Sequence, residues 1–220
     1  MQDLKPNEQR SQNAILLIWI ALAMNCISLV SSYFQYDLLQ TAANGGEISA
    51  EDITSNDNRE QAIGIIQLIV FAVSAITFIQ WFRRAYFNLH LRVNHLSRSE
   101  GWAAGCWFVP IVNLFRPYQI MKELFQATHL FLKRNEVHTT EHLSIASLGL
   151  WWTLWIINWF VGRFAFKYAM KAETIEELTT STTAQLISNG IGIVLAIITI
   201  NIITEYSKLE LVMHKVKITE

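Results

Sequence analysis

The sequence predicts an all-α integral membrane protein, a four-transmembrane-helix bundle with a cytoplasmic-side re-entrant or interfacial Trp-Pro-Asn element and an amphipathic helix. Composition is the first reason: of 220 residues, 52% are hydrophobic and only 16% charged, too apolar for an ordinary soluble domain of this size. Spacing is the second, because apolar stretches near the ~20 residues a spanning helix needs recur at 14–36, 62–82, 143–166 and 184–204. Charge placement is the third. With four spans, the N-terminus, residues 83–142 and the C-terminal tail share one side and carry 13 of the 17 Lys and Arg. A fifth span through 101–115 would divide them 9 against 8 and leave no orienting signal. A single membrane domain over 1–220 with both termini cytoplasmic is therefore expected.

Residues 14–36 are uncharged and lack a small-residue cleavage site, so they read as a retained span rather than a signal peptide. The segment 37–61 holds six acids against one base, Arg59, with Asn44-Gly45-Gly46 as a turn signal, and reads as a solvated loop. Its acidic spacing lacks the Gly and Glu that a calcium loop requires. The second span, 62–82, ends on Trp81 and is followed by Arg83-Arg84. Tyr86, Leu89, Val93 and Leu96 keep the helical period, predicting that this helix runs on to Leu96 among anionic headgroups, with Arg83, Arg84, Arg92 and Arg98 around it.

The stretch 101–124, GWAAGCWFVPIVNLFRPYQIMKEL, is the unusual one. As a helix, Trp102–Phe115 would reach about 21 Å, short of the ~30 Å hydrocarbon core. Pro110 and Pro117 each free a carbonyl that needs another donor. Positions 110, 113 and 117 would share one stripe of a continuous helix, which makes the Asn113 amide the expected donor. Residues 118–133 then read as an amphipathic helix lying in the interface, with Pro117 suited to its first turn, so the interfacial element covers about 101–133. A short tail helix follows the fourth span.

Motifs that carry chemistry are scarce. His138 and His142 have metal-compatible spacing, but two ligands do not make a site, and the intervening residues are not those of a zinc protease helix. No metal and no cofactor are expected. Trp151, Trp155 and Trp159 recur every four residues and read as packing or interface anchoring. No Asp, Glu or Lys lies within a predicted span, which counts against an ion-coupled pump. Ser188, Gly190, Gly192 and Ala196 mark a close-packing helix face rather than a phosphate cradle. Cys26 and Cys106 lie in different segments and are not expected to pair.

The run Trp81-Phe-Arg-Arg-Ala-Tyr-Phe-Asn88, then Trp102, Trp107-Phe-Val-Pro110-Ile-Val-Asn113-Leu, Pro117, Gln119, Met121 and Glu123-Leu, and later Trp151-Trp152, resembles the uncharacterised bacterial membrane proteins grouped as domain of unknown function 4328. The resemblance covers roughly 60–205. It implies a multi-span bacterial membrane protein and no particular activity.

Two function classes follow. One is a non-enzymatic membrane scaffold or accessory protein that binds a partner or lipid headgroups through 83–142. The alternative is a passive transporter or channel for a small or amphipathic solute. A polar path through Asn25, Gln67, Asn158 and Asn201 would favour transport, and pairing of those residues between helices would disfavour it. An intramembrane enzyme would need His and Arg from 83–142 converging on one pocket. The candidate binding residues are Arg83, Arg84, Asn88, Arg92, Trp102, Trp107, Pro110, Asn113 and Pro117. The expected partners are the lipid bilayer, anionic lipids in particular, and an unidentified membrane or cytoplasmic protein. Near-neutral charge gives no reason to expect nucleic acid.

Overall fold

The computed structural model of the protein describes residues 4–137 and 144–216. Its elements are α1 (Glu8–Ala43), α2 (Ala50–His90), α3 (Trp102–Gly105), a 3-10 turn (Val112–Leu114), α4 (Arg116–Arg134), α5 (Ile145–Ala169) and α6 (Ile175–Lys215). Helices α1, α2, α5 and α6 are each long and apolar enough to cross a membrane, making this an all-α, multi-pass membrane protein.

The helices overrun the expected spans at several ends. Residues 37–61 are not a solvated loop: α1 continues to Ala43 and α2 begins at Ala50. The stop signals are local. Gly45 takes φ 78°, which a side chain would disfavour, and Gly46 N–H donates to the Thr41 carbonyl at 2.9 Å, closing the helix end. Ser49 and Asp52 then form a reciprocal cap, with Asp52 N–H donating to Ser49 Oγ at 3.0 Å and Ser49 Oγ–H donating to Asp52 at 2.6 Å. The segment's base, Arg59, reaches back to α1, donating to Ser31 Oγ at 2.9 Å.

Thr174 and Glu177 repeat the cap at the start of α6, where Glu177 N–H donates to Thr174 Oγ1 at 3.2 Å and the Glu177 carboxylate accepts the Glu173 N–H at 2.8 Å. Among the described residues no separate tail helix occurs, because α6 runs unbroken to Lys215. Conversely, α2 stops at His90 rather than Leu96. The segment beyond it is held by Glu123, which accepts Ser97 N–H at 2.8 Å and Tyr86 O–H at 2.7 Å.

The chain groups into two compact units. The first comprises Met1–Ile18, Val73–Trp152 and Ile198–Glu220. Its core is aromatic: Phe78 meets Trp81, Trp107 and Trp151 at ring-centroid distances of 5.6, 5.7 and 6.3 Å. Helix α4 buries Ile120, Met121, Leu124, Phe125, Thr128 and Leu132 in this core. Its predicted amphipathicity is present, and the apolar face packs on protein, with Phe125 5.2 Å from Tyr206. Full burial of each large side chain contributes on the order of 1.5–3 kcal/mol.

The second unit comprises Trp19–Ala72 and Thr153–Ile197. Asn189 of α6 is its hub, donating to Ser28 of α1 at 2.9 Å and accepting from Gln67 of α2 at 3.3 Å and Gln185 at 3.0 Å. Gln67 also donates to Asn25 at 3.1 Å. Lipid offers these amides no alternative partners, so the bonds hold helix to helix. Of the predicted small-residue face, Ser188, Gly192 and Ala196 pack inward, while Gly190 faces open space.

Gly192 and Gly190 should therefore behave oppositely. A Cβ at Gly192 would stand 2.9 Å from Asn25 Oδ1, displacing the amide that Gln67 holds, whereas one at Gly190 meets nothing within 4 Å. Gly192→Ala is expected to lower the unfolding temperature in detergent, by about 1–3 kcal/mol equivalent for the disturbed buried bond. Gly190→Ala should leave it unchanged or raise it through helix propensity, by up to ~1 kcal/mol.

Candidate functional site

The densest buried polar chemistry lies in the first unit, where three stretches of chain meet. Glu210, 5% exposed on α6, receives Asn88 Nδ2–H at 2.6 Å on one oxygen and Asn7 Nδ2–H at 2.9 Å on the other. The second Asn88 amide hydrogen goes to the Lys5 carbonyl at 2.8 Å, and Asn88 Oδ1 accepts Lys5 N–H at 2.9 Å. Asn88 thus pairs with both backbone groups of Lys5, as a residue of a neighbouring strand would, and clasps the N-terminal segment to α2. Glu210 lies beyond the 184–204 span. Burial pushes its carboxyl above the ordinary value, against the opposing amide bonds and the charge of Arg84.

Sequence reasoning assigned Asn88 to binding and missed Glu210. The available signal was the period of Tyr206, Leu209, Glu210 and Met213, which puts the carboxylate on a buried face.

Arg83 and Arg84 follow Trp81 and Phe82 on α2. The Arg84 guanidinium and the Lys5 ammonium both lie over the Phe87 ring, at 5.7 and 4.8 Å from its centroid. Arg10 donates to the Gln80 carbonyl at 3.3 Å, which brings a basic side chain of α1 to the same end of α2. Arg83 lies 3.5 Å from Glu100. Arg92 is half-buried in the segment after α2. Arg98, also half-buried, offers its carbonyl to Tyr86 at 3.3 Å. The expected ring of Arg83, Arg84, Arg92 and Arg98 is thus a pair on α2, joined by Lys5 and Arg10, and two arginines in the following segment.

The 101–117 element is not a continuous helix, so the stripe through Pro110, Asn113 and Pro117 does not form. After α3 the chain makes a γ-turn centred on Ile111 (φ 67°, ψ −47°), closed by Val112 N–H donating to the Pro110 carbonyl at 2.7 Å. Positive φ in a β-branched residue stores on the order of 1–3 kcal/mol of strain. The turn exposes Phe108 (76%) and Ile111 (73%). Trp102 and Pro110 are also exposed, Trp107 packs edge-on against Phe78, and Pro117 is buried in the first turn of α4 as expected.

Asn113 is not the donor that serves this element. Its side chain makes no hydrogen bond among the described residues, and only its backbone N–H is engaged, to the Val109 carbonyl at 3.0 Å. The side-chain donor comes from far along the chain: the Trp152 indole N–H reaches the Leu114 carbonyl at 2.9 Å. Its ring lies 6.0 Å from that of Trp107 and 6.4 Å from that of Tyr118. The tryptophan stripe of α5 therefore divides. Trp151 and Trp152 are core, with Trp151 donating to Thr199 at 3.0 Å, while Trp159 is exposed beneath Arg163.

The nine candidate residues do not converge. Arg83, Arg84 and Asn88 belong with the N-terminal clasp; Trp107, Pro110, Asn113 and Pro117 belong with the aromatic element. Burial pushes the Cys106 thiol up to about 11, so it is no nucleophile at neutral pH. Tyr86 is likewise pushed above its ordinary value by burial and by its bond to Glu123. His138 and His142 lie outside the described residues. No group of three or more metal-ligating side chains occurs among the described residues.

Two outcomes test this geometry. Trp152→Phe leaves the Leu114 carbonyl without its donor and should cost about 1–3 kcal/mol of stability, whereas Asn113→Leu should cost much less; thermal unfolding in detergent compares them. For Glu210, a folded-state value raised above the ordinary 4.5 means that the folded protein keeps a proton that the unfolded chain releases. That contribution is fully present below the ordinary value and is lost as pH rises through the raised one. Unfolding temperature against pH should therefore fall more steeply above 4.5 in the wild type than in Glu210→Gln.

A family model described as Domain of unknown function (DUF4328) matches residues 44–208. No curated protein and no solved structure matches the chain.

Proposed function

We propose that this chain, which belongs to the DUF4328 family, is a non-enzymatic membrane accessory or scaffold protein that engages lipid headgroups or a partner through residues 83–142. It resides in a bacterial cytoplasmic membrane with both termini cytoplasmic. The observation that carries this reading over transport is the pairing of Asn25, Gln67 and Asn158, three of the four polar side chains that would mark a path; the fourth, Asn201, is exposed. Asn25 and Gln67 bond to each other and, through Gln67, to Asn189, while Asn158 accepts Ser188 O–H at 2.9 Å. Amides spent on one another do not line a polar path. Orientation follows from the 13 of 17 basic residues on one side.

In this reading the 101–117 element dips into the headgroup region of the cytoplasmic leaflet. Support comes from Phe108, Val109 and Ile111, exposed together on the strained turn, with Arg116 stacked over Phe115 at 5.6 Å beside them. Apolar tips flanked by a cation suit the boundary between acyl chains and phosphates.

Three measurements test the proposal. Single cysteines at Asp57 and Glu176 in a Cys-free background should react with an impermeant maleimide from outside, and one at Lys133 should not. Phe108→Trp should fluoresce in the blue and be quenched by lipids spin-labelled near the headgroup more than by lipids labelled at the chain end; water-like emission would exclude insertion. Proteoliposomes should release trapped small solutes no faster than protein-free vesicles, and protein-dependent efflux would return the reading to transport.

A further inference from the structure

We propose that Lys5, Arg10, Arg83 and Arg84 form a binding site for the phosphate of an anionic phospholipid. This rests on the accessory-protein reading and names the ligand of its basic face. The four cations come from two parts of the chain that the buried clasp brings together. Asn88 pairs with the backbone of Lys5 at 2.8 and 2.9 Å, and Asn7, two residues on, is anchored to Glu210 at 2.9 Å. The N-terminal segment is thus fixed against α2. Lys5 and Arg84 each lie over the Phe87 ring, and Arg10 is tied to the Gln80 carbonyl, one turn before Arg83 and Arg84.

Among the described residues, acids do not neutralise the cluster: Lys5, Arg10 and Arg84 have no carboxylate within ion-pair distance, and Arg83 reaches only Glu100, at 3.5 Å. Glu8, nearby on α1, accepts the Gln12 amide at 3.3 Å. Glu210 acts on Arg84 through space, but its oxygens are directed at the Asn7 and Asn88 amides. Four cations held together against Glu210 and Glu100 keep a net positive charge, which a bound anion relieves. Arg10 registers the crowding: burial, then the neighbouring Arg84 and Arg83, push it below the ordinary arginine value.

Position identifies the anion's source. Arg10 stands four residues before the 14–36 span and Arg83 directly follows the 62–82 span, which is headgroup depth. About two turns from Arg10 and Arg83 along their helices, Leu16 and Ile76 are 60% and 55% exposed, an apolar surface for the acyl chains of the same lipid. A soluble phosphate would use the cations alone; a phospholipid uses both.

The test uses the full-length protein in neutral detergent, titrated with dioleoyl-phosphatidylglycerol or dioleoyl-phosphatidylcholine and read by native mass spectrometry. Phosphatidylglycerol should be retained in preference to phosphatidylcholine. Arg10→Gln/Arg84→Gln should weaken its retention about thirtyfold, from two lost headgroup contacts, while Lys167→Gln/Lys171→Gln, in the last turn of α5 and just beyond it, should not change it. Should the first double variant lose its thermal unfolding transition, Lys5→Gln/Arg83→Gln, both exposed, replaces it with the same expectation. Equal retention of the two lipids, or wild-type retention by the substituted proteins, would overturn the proposal. Complete displacement of phosphatidylglycerol by millimolar inorganic phosphate would reassign the site to a free anion. Solute efflux in proteoliposomes, by contrast, would reject the accessory-protein reading while leaving the lipid titration to stand or fall by itself.

Discussion

A carboxylate can be buried only if its oxygens receive donors in place of water, and Glu210 receives them from two asparagines on different parts of the chain. Removing one asparagine leaves a buried acceptor without its donor, at a cost of about 1–3 kcal/mol. The first unit depends on this arrangement. Because Asn7 serves Glu210 and Asn88 serves both Glu210 and Lys5, the N-terminal segment, α2 and α6 are positioned by one shared set of bonds. The basic cluster of Lys5, Arg10, Arg83 and Arg84 is a consequence of that positioning.

The second unit solves a different problem. Its helices present Leu68, Ile69 and Phe71 outward, more than half exposed. In lipid, such side chains gain nothing by leaving the surface for the interior. Cohesion falls instead to close packing and to amides with no other partners. Asn189 supplies the latter by joining α6 to α1 and α2, and Gly192 supplies the former by admitting Asn25 at van der Waals limits.

Between α2 and α4 the chain is held neither by helical periodicity nor by its own asparagine. Trp152, fixed in the aromatic core beside Trp151 at 5.5 Å, sends its indole N–H to Leu114. Glu123 anchors the segment before α3 by taking three hydrogen bonds from Tyr86 and Ser97. With both flanks secured, the intervening turn carries the strain at Ile111 and keeps Phe108 and Ile111 outside the core.

The sequence by itself determined the membrane class, the four spans, the amphipathic α4 and the place of Pro117 in its first turn, because these follow from hydrophobic content, periodicity and local backbone restriction. It also held the signals that end α1 and start α2 and α6, in Gly45-Gly46, Ser49-x-x-Asp52 and Thr174-x-x-Glu177, though an acidic composition pointed to a loop at 37–61. Tertiary structure alone decided which polar groups meet. Asn113 and Trp152 were equally available donors in the sequence, and the packing of Trp107 against Phe78 and Trp152 selected the indole. Glu210 looked like part of a polar tail until two asparagines, more than 100 residues away in sequence, converged on it. Partner choice among polar side chains is a long-range property: it depends on which buried faces come together, and a one-dimensional pattern records the face of each residue without recording what lies opposite.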